Sequence, residues 1–317
     1  MIVTRTPYRI SFVGGGTDYP SWYEENGGIV LSTTINKYCY VTLRRLLPFF
    51  EHKHRIVYSV IEDVHTIDEV RHPTIREALR LLGTPDGLEI HHDGDLPARS
   101  GIGTSSSFTV GLLQTLYILH KIPYDKEKLF TDAIHLERDI IGENVGSQDQ
   151  VAAAVGGFNL INFDKNKITV TPVDPKGLEK WLLLVFTGLT RLAVNVARTY
   201  DFKSSGLQTM QNMVPLALQV LQDENYEKFG YLLDSAWNLK KGLSSEISNP
   251  YIDHLYETAK KAGILGGKLL GAGGSGFMLL LADPSKHDEI KQALKGLLFV
   301  PFKFESKGSE VIFNNGE

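Results

Sequence analysis

The alternation of apolar and polar residues predicts a chain that begins with strands and continues with long helices. Residues 2–13 alternate loosely and are rich in β-formers, and residues 28–43 predict one or two further strands. Apolar residues at helical spacing predict helices over 108–120 and 126–141. Strands and helices are therefore both expected in the first half of the chain, in blocks long enough for a packed core.

A change of pattern near residue 185 divides the chain in two. The continuous apolar run 181–186 is typical of a buried strand, whereas 193–261 is mainly helical. A chain of 317 residues is longer than a usual single domain. We therefore expect two domains, 1–185 and 186–317.

The stretch Leu96–Phe108 has the composition of an anion-binding loop. Gly101 and Gly103 let the backbone approach a ligand without a side chain in the way. The four hydroxyl residues Thr104–Ser107 follow and lead into the predicted helix, whose N-terminus carries a partial positive charge. The loop predicts a phosphate site; the alternative is a serine-rich turn that only caps the helix.

Two other glycine-rich segments lie near the ends of the chain. Gly14–Gly16 follow the first strand and precede Asp18, which is either an ordinary turn aspartate or a carboxylate held for a ligand. A G-x-G-x-x-G pattern at 271–276 is followed by an apolar run better interpreted as a strand than as a helix. This order excludes a dinucleotide fingerprint, and the absence of a Walker pattern excludes a P-loop enzyme.

Two acidic residues stand out from the predicted helices. Glu137 lies inside an apolar stripe of the helix 126–141, where a carboxyl group must be paired, protonated or bound to a metal unless it reaches solvent at the edge of the stripe. Asp149 lies at a predicted helix start between two glutamines. It is either a helix cap or a buried acid near a reacting hydroxyl.

Composition narrows the possible partners. The formal charge of -4 argues against general nucleic-acid binding. Cys39 is the sole cysteine, which excludes a disulfide framework. No apolar run approaches the ~18 residues of a membrane span, and the chain starts directly in strand-like sequence. We expect a cytoplasmic protein that acts without membrane or nucleic acid, and both a monomer and a homodimer remain open.

The order of the three glycine-rich segments resembles the GHMP kinases, a superfamily named after galactokinase, homoserine kinase, mevalonate kinase and phosphomevalonate kinase. The matching segments are 6–19, 97–107 and 268–276. Ile102 and Thr104 replace the usual leucine and serine of the second segment, and Ser275 stands where glycine is common. The resemblance implies an α+β, two-domain GHMP kinase fold, with an N-terminal domain like ribosomal protein S5 domain 2 and a ferredoxin-like C-terminal domain.

The resemblance also implies roles for individual residues. Asp149 would serve the attacking hydroxyl, with Arg9 beside it to keep it ionised; Glu137 would bind Mg²⁺ with Ser105 or Ser106. A sugar would be bound by Asp18 with Gly15, Gly16 and Thr17, and its phosphate by Arg191, with Lys203 and Arg45 as further candidates. ATP would be bound by Pro97, Ser100, Gly101, Ile102, Gly103, Thr104, Ser105, Ser106, Ser107, Gly271, Ala272, Gly273 and Gly274.

Three details favour one subfamily. Gly14–Asp18, Gly103–Ser106, and Thr187-Gly188 followed by Arg191 resemble the D-glycero-D-manno-heptose 7-phosphate kinases. This resemblance implies transfer of a phosphoryl group from ATP to the anomeric hydroxyl, for nucleotide-heptose and cell-surface glycan synthesis. L-fucose kinases share several of these features, so another sugar 1-kinase is the alternative. A non-catalytic sensor on the same fold and a decarboxylase that begins with phosphoryl transfer are further alternatives.

Overall fold

The computed structural model describes residues 1–84, 87–189, 199 and 205–316. The strands in these residues are β1 Ile2–Val13, β2 Gly28–Arg45, β3 His54–Val57, β4 Ile61–Val64, β5 Leu88–Gly94, β6 Phe158–Phe163, β7 Ile168–Pro172, β8 Leu182–Phe186, β9 Gly266–Leu269, β10 Phe277–Leu281, β11 Leu298–Phe299, β12 Phe304–Glu305 and β13 Glu310–Asn314. The α-helices are α1 Pro20–Asn26, α2 Pro73–Leu81, α3 Thr104–His120, α4 Lys126–His135, α5 Gln148–Val155, α6 Ser205–Gln222, α7 Tyr226–Lys241, α8 Pro250–Lys261 and α9 His287–Ala293.

The described strands form two sheets. The first follows the order β13-β1-β2-β5-β3-β4; β6 and β12 also pair with β2, and β7 pairs with β6. The second follows the order β11-β8-β10-β9 and is antiparallel. Both sheets carry helices, which confirms the predicted α+β class.

The end of the chain returns to the sheet in which it begins. β13 pairs antiparallel with β1, and β12 with β2. The strand β8, in contrast, belongs to the second sheet although it spans the expected boundary at 185. Each sheet thus contains strands from both parts of the chain. The division into domains 1–185 and 186–317 stays a prediction.

Helix α3 lies against the first sheet and is buried along most of its length. Gly111 allows the close approach, because a Cβ there would lie 2.7 Å from the Thr6 hydroxyl oxygen. The Thr4 hydroxyl donates to the Gly111 carbonyl at 3.0 Å. A helix that is apolar on nearly every side is expected inside a core. This packing fixes where the N-terminus of α3 points.

Two helices depart from the sequence prediction. Helix α3 begins at Thr104 rather than at 108, after Gly103 with a φ of +75°. The prediction was one turn short because apolar periodicity does not register a first turn made of hydroxyl residues. The predicted helix 126–141 ends as α4 at His135 and continues through 136–140 as a π-helix, a wider winding common at functional sites.

None of the described helices has the length and apolar character needed to cross a membrane.

Candidate active site

A cavity of about 910 Å³ brings together all three glycine-rich segments. Its lining includes the turn after β1, the first turn of α3, and the start of the loop between β9 and β10. Glu137 and Asp149 also line it, together with Arg9. Residues far apart in the sequence thus meet at one concave site, the usual form of a small-molecule site.

Arg9 and Asp149 form the central ion pair of this cavity. The guanidinium donates from Nε to Asp149 Oδ1 at 2.7 Å and from Nη2 to Oδ2 at 2.8 Å. Its third nitrogen, Nη1, donates to the Gly101 carbonyl at 2.6 Å. Arg9 is buried on β1, whereas the Asp149 side chain on α5 is 24% exposed. A bidentate pair of this kind fixes the carboxylate while leaving it accessible from the cavity.

Asp18 is a second, fully buried carboxyl group beside Asp149. Its oxygens accept from the main-chain N–H of Gly16 at 2.9 Å and of Gln148 at 3.3 Å. Burial raises the pKa of Asp18, with a further contribution from the Asp149 charge, and the two N–H donors oppose that rise. Gly146 is required here because a Cβ would lie 1.9 Å from Asp18 Oδ2.

Two buried polar side chains near Asp18 carry atoms without a hydrogen-bond partner among the described residues. The Ser11 hydroxyl and the Gln148 amide oxygen are buried, line the cavity, and have no hydrogen-bond partner within the described residues. Buried polar atoms without partners are uncommon and require an explanation. A polar ligand such as a sugar would satisfy both atoms. Sequence reasoning missed Ser11, which alternation on β1 places on the same face as Arg9.

Glu137 occupies an electrostatic environment unlike that of Asp149. It is buried in the π-helical segment, and burial raises its pKa to about 7. Oε2 accepts from the Ser106 hydroxyl at 3.0 Å and from the Gln150 amide. The Thr109 hydroxyl is near enough to oppose the pKa rise but donates to the Ser105 carbonyl. Among the described residues, Oε1 has no hydrogen-bond partner.

These contacts fit a divalent cation. A buried carboxylate oxygen without a partner and a serine hydroxyl are oxygen ligands of the kind Mg²⁺ prefers. Mg²⁺ is commonly held by one or two carboxylates together with substrate phosphates. Ser106 is the better hydroxyl partner, because Ser105 is exposed at the cavity wall.

The first turn of α3 lines one side of the cavity. Thr104, Ser105 and Ser106 all line it, and the turn carries no acidic residue. The first N–H groups of a helix lack partners within the helix, so they are available to an anion. Gly103, with its left-handed backbone, turns the chain so that the helix can start here.

The second and third glycine-rich loops pack backbone against backbone. A Cβ at Gly271 would lie 2.4 Å from the Gly101 Cα, and one at Gly276 would lie 2.2 Å from the Ser100 carbonyl oxygen. The Phe277 N–H donates to that same carbonyl at 3.0 Å. Gly271 and Gly276 must be glycine for the loops to meet, and the contact holds two walls of the cavity together.

An aromatic wall, which we define as Tyr58, His72, His92 and Phe108, lines another part of the cavity. The ring centroids of His92 and Phe108 are 4.4 Å apart, and those of His72 and Phe108 are 5.2 Å apart. Burial lowers the pKa of His72 to about 4 and also lowers that of His92, so both rings are neutral near pH 7. Flat neutral rings suit stacking with a nucleotide base. Sequence reasoning missed this wall, since its members come from four separate segments.

Sequence reasoning also missed two buried lysines, Lys240 on α7 and Lys268 on β9, both of which line the cavity. Lys240 follows Phe229, Leu233 and Trp237 along one buried face of its helix. This is the same signal that identified Glu137, a charge within an apolar stripe. Lys268 directly precedes the third glycine-rich loop but gave no sign of its burial.

Several residues expected at the site do not line the cavity. Thr17 and Ser107 donate instead to the main-chain carbonyls of Gly14 and Pro7. Gly274 donates to the Ile247 carbonyl at 2.8 Å. The residues outside the lining are Thr17, Pro97, Ser100, Ile102, Ser107, Gly273 and Gly274. They shape the loops, whereas Gly15, Gly16, Gly101, Ala272 and the other expected residues that the structure describes face the cavity.

The expected cations for a sugar phosphate are placed only in part. Arg191 and Lys203 lie outside the described residues. Arg45 borders a different cavity, with Phe49 and Phe50, and is absent from the lining of the main one. Arg45 was therefore a wrong candidate, because the long strand β2 carries its end away from the site.

Sequence comparisons agree with this geometry. Profiles described as the GHMP kinases N terminal domain and the GHMP kinases C terminal match residues 70–157 and 217–298. The chain is 29% identical to D-glycero-alpha-D-manno-heptose 7-phosphate kinase from Campylobacter jejuni, over 93% of both chains. It is 28% identical to a bifunctional fucokinase/GDP-fucose pyrophosphorylase from Arabidopsis thaliana, over 91% of this chain and 30% of that relative.

A solved structure adds the fold. A D-glycero-D-manno-heptose 1-phosphate kinase from Bacteroides thetaiotaomicron superposes over the whole of both chains, with a TM-score of 0.81 and 23% identity. At that identity the likeness concerns the fold alone. With both domain profiles matched, the chain belongs to the GHMP kinase family, has its two-domain α+β fold, and is an ATP-dependent kinase.

Proposed function

We propose that this kinase transfers the γ-phosphoryl group of ATP to the anomeric hydroxyl of D-glycero-D-manno-heptose 7-phosphate, giving the 1,7-bisphosphate for nucleotide-heptose synthesis. The observation that carries the proposal is the Arg9–Asp149 pair, which opens on the cavity between Asp18 and the first turn of α3. The name of the Campylobacter jejuni relative supports the choice of sugar.

Asp149 is proposed to accept the proton of the acceptor hydroxyl. As the hydroxyl oxygen forms its bond to the γ-phosphorus, the bond from that phosphorus to the bridging oxygen of ADP breaks. The hydroxyl proton passes to an Asp149 oxygen and ADP leaves with the bridging oxygen. Arg9 positions the carboxylate through its two hydrogen bonds. Phosphoryl transfer depends mainly on such positioning and on charge neutralisation.

ATP is proposed to place its phosphates on the first turn of α3 and its base along the aromatic wall. The helix end offers free N–H donors and a partial positive charge. The residues at the phosphates would be Gly101, Gly103 and Thr104–Ser106, with Gly271 and Ala272 across the cavity. Glu137 and Ser106 would hold Mg²⁺, which neutralises phosphate charge when it is bound.

The sugar is proposed to lie against Asp18. Its hydroxyls would pair with the Asp18 carboxyl and satisfy the Ser11 hydroxyl and the Gln148 amide oxygen. Hydrogen bonds to otherwise unpaired buried groups give strong discrimination among hydroxylated substrates. Arg191 is proposed to bind the phosphate that the sugar already carries. A cytoplasmic location and a monomeric or homodimeric state stay predictions.

The alternative is a kinase of L-fucose or another free sugar, and the Arabidopsis thaliana fucokinase relative favours it. The names of the two heptose kinases also differ in the position of the phosphate. A screen of ADP release separates these cases. The acceptors are D-glycero-D-manno-heptose 7-phosphate, the free heptose, L-fucose, galactose and mevalonate, with ATP hydrolysis in the absence of acceptor as the control.

We expect kcat/KM for the heptose 7-phosphate to exceed that of every other acceptor by roughly 100-fold, since a phosphate that pairs with a cation is absent from the free sugars. Turnover of free L-fucose without turnover of heptose 7-phosphate would overturn the assignment in favour of the fucose kinases.

A further inference from the structure

Two buried lysines lie in the floor of the cavity without a role in the reaction described above. Lys240 and Lys268 are 6% and 5% exposed, yet both line the cavity beside the central ion pair. A buried lysine is rare unless something compensates its charge. Their position next to the reacting groups calls for a functional explanation.

Each amine holds one of the glycine-rich segments. Lys240 Nζ donates to the Leu269 carbonyl at 3.3 Å and to the Gly271 carbonyl, where the third glycine-rich loop begins. Lys268 Nζ donates to the Phe12 carbonyl at 2.9 Å, just before the turn that carries Asp18. Two ammonium groups have six N–H donors, and these bonds to described residues use half of them. The remaining donors suit an anionic ligand.

The charged groups around the two lysines act on their protonation in opposite directions. Arg9 on β1 opposes the charge of both lysines, and Lys268 opposes the charge of Lys240. Asp18, in the turn after β1, favours the charge of both, and Asp149, on α5, favours that of Lys240. With both amines protonated, three cations face two carboxylates, a net charge of +1. With both neutral, one cation faces two carboxylates, a net charge of -1.

We propose that Lys240 and Lys268 are positioning residues that take up a proton when the terminal phosphoryl group of the nucleotide enters the cavity floor. The negative charge of the incoming phosphoryl group stabilises the protonated amines, whose charge burial otherwise disfavours. The protonated pair then holds the turn at Asp18 and the loop at Gly271 in place around the transferring group. The inference rests on the proposed position of that group near Asp149.

The electrostatics give the expected size of the effect. Burial, followed by the Arg9 charge, lowers the pKa of Lys268 to about 7, and burial lowers the pKa of Lys240 well below its usual range. An opposite charge nearby raises such a pKa by about two units. An amine with that change takes up roughly 0.7 proton at pH 7.5.

The experiment is calorimetric titration with a non-hydrolysable ATP analogue at pH 7.5, in two buffers of different ionisation enthalpy, with ADP as the reference ligand. We expect binding of the analogue to be accompanied by the uptake of at least about 0.5 proton more than binding of ADP, after correction for the ionisation of each free ligand. The variant Lys268→Arg carries a permanent charge, so the extra uptake should fall by more than half while binding is retained.

Lys240→Met tests the second amine, and Lys241→Met, at a half-buried neighbour on the same helix that does not line the cavity, is its matched control. The Lys240 variant should reduce the extra uptake, and the control should leave it unchanged. Affinity of the wild type for the analogue should also fall between pH 7 and pH 9, more steeply than in Lys268→Arg.

Equal proton uptake with the analogue and with ADP in the wild type would overturn the proposal, as would uptake that Lys268→Arg leaves intact. Because none of these titrations contains a sugar, a wrong choice of sugar would leave their results unchanged. The acceptor screen and the proton measurement therefore fail independently.

Discussion

Glu137 and Asp149 lie in one cavity and in opposite electrostatic environments. Asp149 is partly exposed and already has a cation, the bidentate Arg9. Glu137 is buried, has only neutral donors, and its pKa is raised to about 7. The two environments suit the roles proposed above: a proton acceptor that Arg9 holds in place, and a metal ligand that has no cation of its own.

The largest expected effect comes from Asp149→Asn. It keeps the shape of the side chain but removes the proton acceptor, so kcat should fall by about 100-fold or more. Nucleotide affinity should change little, because the proposed phosphate contacts lie at the first turn of α3. The measurement is steady-state kinetics together with nucleotide titration. Asp139→Asn, an exposed carboxylate paired with Arg138, is the control and should retain activity. Near-normal turnover in Asp149→Asn would remove this role.

Glu137→Gln should change stability as well as metal binding. In the folded, metal-free protein the pKa of Glu137 is about 7, against an ordinary value of 4.5, so the folded state holds its proton longer than the unfolded state does. Stability is therefore lost as pH rises from about 4.5 to about 7, by roughly 3 kcal/mol for this group. The glutamine variant removes that loss.

The measurement is urea unfolding of both proteins, without metal, at pH 4.5 and pH 8. The stability of Glu137→Gln relative to wild type should rise by roughly 3 kcal/mol between the two values. Mg²⁺ with nucleotide should then stabilise the wild type more than the variant. A difference that stays constant with pH would contradict a carboxyl group that is buried without a cation.

Gly146→Ala tests whether Asp18 acts separately from the other two acids. The new Cβ would lie 1.9 Å from Asp18 Oδ2, so that carboxyl must move. We expect KM for the sugar to rise on the order of tenfold, with KM for ATP within a factor of two, since a displaced binding group weakens its own ligand first. Equal changes in both KM values would instead indicate a general disturbance of the site.

The smallest expected effect distinguishes the two loop serines. The Ser106 hydroxyl donates to Glu137, whereas Ser105 is exposed. Loss of one such hydrogen bond costs about 1 kcal/mol, or about fivefold in Mg²⁺ affinity. Ser106→Ala should show this loss in a metal titration of activity, and Ser105→Ala should not. The reverse order would move the metal to the other serine.

The sequence supplied the family, the α+β class and the kinase activity because these depend on motifs within single segments. Its apolar stripe also pointed to the buried Glu137. Arg9 and Asp149 are 140 positions apart, so only the family resemblance could join them. The contact depends on how α5 packs against β1, which residue spacing does not determine.

Sequence reasoning missed the aromatic wall and the two buried lysines, because little in the residue pattern distinguishes them from ordinary core or surface residues. The aromatic wall joins single rings from different segments, and each ring alone resembles an ordinary core residue. Lys240 and Lys241 are adjacent and identical in type, yet only Lys240 faces the cavity. The helical stripe through Phe229, Leu233 and Trp237 distinguishes them, whereas Lys268 on its short strand β9 has no comparable signal.

The most direct test of the separate roles of Asp149 and Glu137 is Mn²⁺ binding, measured by electron paramagnetic resonance in the presence of a non-hydrolysable ATP analogue. Mn²⁺ takes the same carboxylate and hydroxyl ligands as Mg²⁺. The wild type and Asp149→Asn should bind it with equal affinity, and Glu137→Gln should bind it at least about tenfold more weakly. Equal affinity in wild type and Glu137→Gln, or a comparable loss in Asp149→Asn, would contradict the account.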